Sequence, residues 1–171
     1  MNDAKNGLRL RDARPDELDA VARLLRDAYL EYKEFLPGNV WKGYLAEMMD
    51  VRRRLGEAAL IVAELGGKLA GTVTFYPESP GPGQGGWPKG WAGVRLLAVH
   101  PSFRGRGIGR ALMDECVRRC RERGVRTIGL HTTVMMEVAR GMYERMGFVR
   151  VPEYDFHPRP EVVVMAYRLD L

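Results

Sequence analysis

Val94-Arg-Leu-Leu-Ala-Val-His-Pro-Ser-Phe-Arg-Gly-Arg-Gly-Ile-Gly-Arg-Ala-Leu-Met113 begins as an apolar strand, passes through a basic, glycine-rich turn and continues at once as an amphipathic helix. The strand ends at His100-Pro101, and glycines follow at positions 105, 107 and 109. The first N–H groups of a helix lack partners within the helix, and the helix dipole adds partial positive charge there. Because glycines let an anion approach the main chain closely, the segment predicts a phosphate-binding turn.

Two known phosphate motifs do not fit the spacing of this turn. A P-loop would end in Gly-Lys-Ser or Gly-Lys-Thr, which does not occur here. A dinucleotide-binding turn would need glycine where the chain has Arg110, and an acidic residue in 127–133, which has none. Side-chain donors are added by Arg104, Arg106 and Arg110, so a diphosphate is the expected ligand. The alternative is an ordinary glycine-rich helix start.

Hydrophobic periodicity around this turn predicts a mixed α/β domain with a curved sheet of six or seven strands. Strands are predicted at 8–12, 58–65, 68–76, 91–99, 127–132, 148–151 and 162–169, with a tight hairpin at Gly66-Gly67. Helices are predicted from the acidic residues after Pro15 to a break at Pro37-Gly38, and at 40–55, 108–123 and 137–146. Residues 155–160 are predicted to be irregular because they include two prolines.

The stretch 77–90 is too rich in proline and glycine for a helix or a regular strand. We therefore predict a loop, with two alternatives for its role. It is either a lid beside a binding site or a surface insertion without function.

Composition indicates one soluble globular domain over 1–171, with 46% apolar residues. No window is long enough to span a bilayer and the N-terminus lacks a secretory signal, so we expect no membrane contact and a cytoplasmic location. The net charge of +5 comes from arginines spread over predicted helix faces and turns, without a nucleic-acid-binding motif. Cys116 and Cys120 fall on one apolar helix side, which predicts reduced core thiols and no metal.

Three segments of the chain carry a family resemblance. Arg104-Gly-Arg-Gly107-Ile-Gly109 meets the motif Arg/Gln-x-x-Gly-x-Gly/Ala, Leu97-Ala-Val-His-Pro101 precedes it, and Ala139-Arg-Gly-Met-Tyr143-Glu-Arg-Met-Gly147-Phe148 follows it. In this order they resemble the signatures of the GNAT acyltransferase superfamily, over about residues 93–149. The resemblance implies a GNAT-like splayed sheet flanked by about four helices.

The same resemblance implies acetyl-CoA, or a similar acyl-CoA, as the donor. The pyrophosphate would be held by main-chain N–H groups of the turn, with the arginines screening its charge. The residues concerned are Arg104, Gly105, Arg106, Gly107, Ile108, Gly109 and Arg110. Leu97, Ala98 and Val99 match the family's splayed strand, whose free main-chain groups pair with the pantetheine amides.

Tyr143 matches the position of the family's general acid, which protonates the departing CoA thiolate. The alternative for Tyr143 is a packing residue of an amphipathic helix. The chain departs from the family pattern at two places. Met136 stands where the family often has an asparagine that helps to hold CoA, and Arg95, Leu96 and Leu97 stand where some members have a glutamate base.

His131 is the first candidate for a base that deprotonates the amine, because an imidazole titrates near neutral pH. A hydrogen-bonded structural histidine is the alternative. Glu34, Asp155 and His157 are further candidates, either as bases or as contacts to a cationic substrate. Glu34 and Asp155 are equally compatible with ordinary surface charges. His100 is expected to be a turn residue.

The first hypothesis for function is an N-acetyltransferase that acts on an amine of a small molecule, peptide or protein by direct attack in a ternary complex. The second is an acyl-CoA-binding sensor or degenerate homologue without turnover, given Met136 and the missing glutamate. The third is a basic nucleic-acid-binding module. No motif identifies the amine acceptor. Dimers are common among the proteins that this chain resembles, so a homodimer is one alternative for its assembly.

Overall fold

The computed structural model describes residues 7–79 and 86–171. In this part of the chain the strands are β1 (Leu8–Asp12), β2 (Ala59–Leu65), β3 (Lys68–Tyr76), β4 (Ala92–Val99), β5 (Thr127–Thr132), β6 (Val149–Arg150), β7 (Phe156–Arg159) and β8 (Val162–Asp170). The α-helices are α1 (Leu18–Tyr29), α2 (Gly38–Met49), α3 (Val51–Arg54), α4 (Ile108–Glu122) and α5 (Glu137–Arg145). Short 3-10 helices occur at Pro15–Glu17, Leu30–Phe35, Pro101–Phe103 and Pro152–Tyr154.

The strands form a mixed sheet in the order β1-β2-β3-β4-β5-β8-β6, with β7 paired to β8. This confirms the predicted α/β class, although the described residues form eight strands and five α-helices rather than six or seven and about four. The chain divides into two compact units. The first contains the residues up to Thr74 and Leu96–Glu115, and the second contains Phe75–Arg95 and Cys116–Leu171.

The first unit is built on β1, β2 and the hairpin that joins β2 to β3. Strand β1 runs antiparallel to β2, from the pair Leu8–Leu65 to the pair Asp12–Ile61. The hairpin prediction is confirmed, since Gly66 and Gly67 have φ angles of +59° and +77° in a two-residue turn. Helix α1 buries one apolar face and contacts α2 and α3. The buried residues of that face are Leu18, Val21, Ala22, Leu24, Leu25, Ala28 and Tyr29.

Gly71 brings β3 close to the start of α4 within the first unit. A Cβ atom at this position would lie 2.9 Å from the Ala98 carbonyl oxygen, 3.0 Å from Ile108 Cγ2 and 3.1 Å from Leu112 Cδ1. Glycine inside a strand commonly marks such an approach. The absence of a side chain therefore lets the first turn of α4 pack directly on the strands.

In the second unit, an indole ring packs against a pair of glycines on neighbouring strands. Gly93 of β4 and Gly129 of β5 are direct partners in a parallel ladder, which begins at Ala92 and ends at Val94. A Cβ atom on Gly129 would lie 2.5 Å from Trp87, and one on Gly93 would lie 3.3 Å from the same side chain. Trp87 therefore lies flat against both strands and is only 4% exposed.

The predicted loop 77–90 is closed at its base by Ser79 and Trp87. The Trp87 N–H donates to the Ser79 hydroxyl at 2.7 Å, and that hydroxyl donates to the Trp87 carbonyl at 3.0 Å. The Ser79 N–H also donates to the Trp91 carbonyl at 2.9 Å. Residues 80–85 of the loop lie outside the described residues.

The single helix predicted over 40–55 is wrong. The chain forms α2 and α3, separated by Asp50, which has φ −82° and ψ +62°. Arg54 explains how the break is stabilised, because its guanidinium donates to the carbonyls of Glu47 at 2.8 Å and Met48 at 2.9 Å. A side chain therefore satisfies carbonyls that a continuous helix would have used.

The irregular structure predicted for 155–160 is also wrong. Phe156 pairs with Val164 and Arg159 with Val162, with a register shift between the two pairs. Proline cannot donate to a ladder, but it is tolerated in an edge strand or at a bulge. Strand β7 meets both conditions around Pro158, since it pairs with β8 alone. The predicted strand at 148–151 is confirmed in a shorter form, as β6.

Candidate active site

The glycine-rich turn lies between the end of β4 and the start of α4, in the first unit. His100 begins it as a turn residue, as predicted, and its Nδ1 accepts the Ser102 N–H at 3.2 Å. Gly105 and Gly107 have φ angles of +77° and +75°, a backbone conformation that favours glycine. A Cβ atom at either position would meet nothing within 4 Å. The main chain of the turn therefore borders open space.

Helix α4 directs its N-terminus toward this turn. The first hydrogen bond of the helix runs from the Ala111 N–H to the Gly107 carbonyl at 3.0 Å. The N–H groups of Ile108, Gly109 and Arg110 precede it, where a helix offers no internal acceptors. The Ile108 side chain is buried, so this residue offers only its main chain to a ligand. The arrangement suits an anion held by backbone donors.

The three arginines of the turn have different partners. Arg104 donates to the Ala28 carbonyl at 3.0 Å and forms a salt bridge with Glu31 at 3.0 Å. Arg110 pairs with Asp114, one helical turn further on, at 3.0 Å. The guanidinium of Arg106 lies 5.5 Å from the centre of the Phe103 ring. Arg104 thus ties the turn to the end of α1.

Strand β4 contains an unusual residue directly before the predicted pantetheine-binding residues. Leu96 has φ +53° and is, among the described residues, the one non-glycine with positive φ. Such a conformation strains a leucine by roughly 1–2 kcal/mol. The Leu97 carbonyl, next along the chain, accepts the Tyr29 hydroxyl at 2.9 Å. Leu97 and Val99 are partly exposed, whereas Ala98 is buried.

Tyr143 lies on α5 in the second unit. The way this helix ends explains the spacing of Tyr143, Gly147 and Phe148 in the sequence. The Phe148 N–H donates to the Tyr143 carbonyl and the Gly147 N–H to the Glu144 carbonyl, both at 3.0 Å. With Gly147 at φ +99°, this is a Schellman cap. The rings of Tyr143 and Phe148 pack with centroids 5.8 Å apart, so the cap also holds the tyrosine ring.

His131, on β5 of the second unit, is enclosed by aromatic rings. Trp87 stacks on it at a centroid distance of 4.4 Å, and Phe156 meets it edge-on at 5.0 Å. Nε2 lies 3.0 Å from the Tyr154 carbonyl, which can only accept, so Nε2 carries the proton. In the neutral ring the lone pair is then on Nδ1.

Burial is the largest influence on the pKa of His131 and lowers it below the ordinary value. The hydrogen bond to the Tyr154 carbonyl raises the pKa, the positive charge of Arg95 lowers it, and the negative charge of Asp155 raises it. The lowering by burial and by Arg95 outweighs the two effects that raise the pKa. The imidazole is therefore neutral at physiological pH.

The other acidic and histidine candidates differ in their surroundings. Asp155 binds Arg150 through both carboxylate oxygens, at 2.6 and 2.7 Å, and accepts the Ala166 N–H at 2.7 Å. The Arg150 hydrogen bond is the main cause of its lowered pKa. His157 is exposed on β7 of the second unit, and Glu34 is exposed in the 3-10 helix after α1 of the first.

Sequence reasoning missed Tyr29 and Trp87. The glycines at 93 and 129, inside predicted strands, were the available signal that a ring approaches the sheet. Tyr29 looks like one more apolar position of α1, and its hydrogen bond to Leu97 spans too much sequence for any local pattern to indicate it.

The predicted core position of the two cysteines is confirmed, since Cys116 and Cys120 are both buried. Burial raises the pKa of Cys120 to about 11. Within 7–79 and 86–171 the side chains form no cluster suited to a metal ion. No helix of these residues is both long and apolar enough to cross a membrane.

Comparison with known proteins identifies the family of the chain. The model of the Acetyltransferase (GNAT) family matches residues 18–148. The chain is 33% identical over 147 residues to a mycothiol acetyltransferase of Propionibacterium freudenreichii subsp. shermanii, covering 83% of this chain and 43% of that relative. It therefore spans less than half the length of that protein.

Solved structures give the same result for the fold. PaiA N-acetyltransferase from Thermoplasma acidophilum, in complex with coenzyme A, has a TM-score of 0.73 at 14% identity and covers 93% of this chain and 97% of its own. A GNAT family acetyltransferase from Brucella melitensis, in complex with acetyl-CoA, has a TM-score of 0.60 at 26% identity and covers 83% and 82%. Because the family model matches residues 18–148, the chain belongs to the GNAT acetyltransferase family.

Proposed function

We propose that this protein transfers the acetyl group of acetyl-CoA to an amine of a small molecule, peptide or protein, by direct attack in a ternary complex. The observation that carries the proposal is the glycine-rich turn at the N-terminus of α4. Its two left-handed glycines border open space, and its N–H groups suit an anion. The family match across 18–148 includes residues of both units, which supports one acyltransferase domain over 1–171.

The residues of the turn fit a diphosphate better than a single carboxylate. Main-chain donors at 105–110 provide the geometry, and the exposed rim carries the positive charges of Arg106 and of Arg110, which pairs with Asp114. Arg104 already binds Glu31 and the Ala28 carbonyl, so we assign it to holding the turn in place. Bound acetyl-CoA supplies an activated acyl group and a thiolate leaving group.

Two side chains of the second unit are proposed for proton transfer. Tyr143, fixed by its helix cap, serves as the general acid that protonates the thiolate. His131 serves as the base that takes the amine proton, directly or through water, because its Nδ1 carries the lone pair and its ring is neutral near pH 7. We propose Glu34 and His157, both exposed, as contacts to the acceptor. Asp155 holds Arg150 and β8 instead.

The experiment is a thiol-release assay with acetyl-CoA and a panel of amines, followed by mass spectrometry of the products. The similarity to a mycothiol acetyltransferase supports testing small-molecule amines first, and peptide N-termini form the second arm. Acetylation of one class at a rate that saturates with both substrates supports the proposal. Acetyl-CoA binding without turnover on any amine would favour the sensor. Salt-sensitive binding of DNA or RNA by a protein without CoA affinity would favour the nucleic-acid-binding module.

A further inference from the structure

The strained Leu96 peptide lies where main-chain groups of β4 become available to a ligand. Pairing of β4 with β5 ends at Val94. The His100 N–H donates to the Ala70 carbonyl of β3 at 2.9 Å. Because main-chain groups alternate along a strand, those of Ala98 face β3 and those of Leu97 and Val99 face the opposite edge.

Tyr29 reaches this opposite edge from the end of α1. Its hydroxyl donates to the Leu97 carbonyl at 2.9 Å, and the residue is only 8% exposed. Its ring packs edge-on against Tyr32 and Tyr44, at centroid distances of 5.8 and 6.1 Å. A carbonyl oxygen has two lone pairs, so Leu97 retains acceptor capacity for a second donor.

The chain on either side of Tyr29 is tied to the glycine-rich turn through Arg104. Its guanidinium donates to the carbonyl of Ala28, directly before Tyr29, and pairs with the carboxylate of Glu31, two residues after it. Nε2 of His100 lies 3.8 Å from the Asp27 carboxylate. These contacts fix the position of the Tyr29 hydroxyl along β4. The hydrogen bond from Tyr29 to Leu97 is therefore held in place by the surrounding structure.

From this geometry we infer that Tyr29 is a positioning residue for the pantetheine arm of the donor. Its hydroxyl holds the Leu97 carbonyl, and through it the left-handed Leu96 peptide, in the orientation that accepts a pantetheine amide N–H. The inference rests on the proposed function for the identity of the donor. It assigns to Tyr29 a part of donor binding that is separate from the phosphate contacts of the turn.

A pair of ligands separates the two parts of donor binding. Acetyl-CoA carries the pantetheine arm, whereas 3′-phosphoadenosine 5′-diphosphate carries the phosphates without it. In calorimetric titrations we expect Tyr29→Phe to weaken acetyl-CoA binding by roughly fivefold to tenfold, the scale of one hydrogen bond, and to leave binding of the nucleotide unchanged. Tyr32→Phe is the matched control, since it alters a neighbouring ring of the same group, and should change neither affinity.

The carbonyl resonance of Leu97 gives a second measurement in the free protein. Loss of the Tyr29 hydroxyl should shift the Leu97 carbonyl carbon in Tyr29→Phe and not in Tyr32→Phe. An unshifted resonance, an unchanged acetyl-CoA affinity, or an equal loss for both ligands would each overturn the inference. Failure of the unmodified protein to bind acetyl-CoA at all is a different result, and it would overturn the proposed function instead.

Discussion

The indole of Trp87 stacks on the imidazole of His131, with centroids 4.4 Å apart and planes inclined by 21°. Since burial is the largest cause of the lowered pKa of His131, Trp87→Leu should raise that pKa toward the ordinary value. An NMR titration followed at the His131 ring resonances measures this directly. A His131 pKa that stays the same in the variant would show that the indole does not control it.

The lowered pKa of folded His131 also predicts how the stability of the protein depends on pH. An unfolded histidine titrates at about 6.5, above folded His131. As the pH falls through that value, the unfolded chain takes up the proton first, so the free energy of unfolding decreases toward the folded pKa. Urea denaturation between about pH 7.5 and about pH 5 should show this decrease, and Trp87→Leu should reduce its size. An identical pH dependence in the variant would show that burial of His131 under Trp87 does not cause the decrease.

Gly129→Ala should destabilise the protein strongly because its Cβ would lie 2.5 Å from the Trp87 ring. We expect a loss of about 1–3 kcal/mol in the free energy of unfolding, as for other overpacked cores. Gly93→Ala, with its nearest contact at 3.3 Å, is the milder comparison and should cost less. In a Trp87→Ala background the cost of Gly129→Ala should largely disappear. Equal costs in both backgrounds would mean that the indole is not the obstacle.

Tyr143→Phe should lower kcat for acetyl transfer by about 100-fold, the scale of general acid catalysis. The ring stays packed on Phe148, so acetyl-CoA affinity should be unchanged and stability should change by no more than about 1 kcal/mol. Tyr167→Phe is the control for the loss of a tyrosine hydroxyl. That hydroxyl donates to Glu144 at 3.2 Å, and its removal should leave kcat unchanged. Turnover in Tyr143→Phe equal to that of the unmodified protein would remove Tyr143 from the acid role.

Local patterns in the sequence predict the elements around the glycine-rich turn well. The Gly66-Gly67 hairpin and the strand-turn-helix around Gly105 and Gly107 depend on backbone conformations that glycine alone adopts easily. The spacing from Tyr143 to Gly147 and Phe148 follows from one helix cap, which is again local. Such features are readable because the residues that determine them are neighbours in the chain.

Features that depend on one particular side-chain or strand contact were not predictable. The break at Asp50 follows no glycine or proline and is stabilised by the Arg54 side chain. Strand β7 exists because β8 offers it an edge, despite Pro158. The tautomer of His131 is set by the Tyr154 carbonyl, 23 residues away. Each depends on a contact that only the folded chain creates.

Calorimetric titration of acetyl-CoA into Gly107→Glu tests whether the turn at 104–110 holds the acyl donor. A glutamate there would put a carboxylate and its side chain into the open space beside the turn. Gly124→Glu is the matched control, because Gly124 has a similar φ of +69°, equally open surroundings and a place outside the turn. We predict tight binding by the unmodified protein and by Gly124→Glu, and none by Gly107→Glu. Equal binding by all three proteins, or no binding by the unmodified one, would show that the turn does not hold the acyl donor.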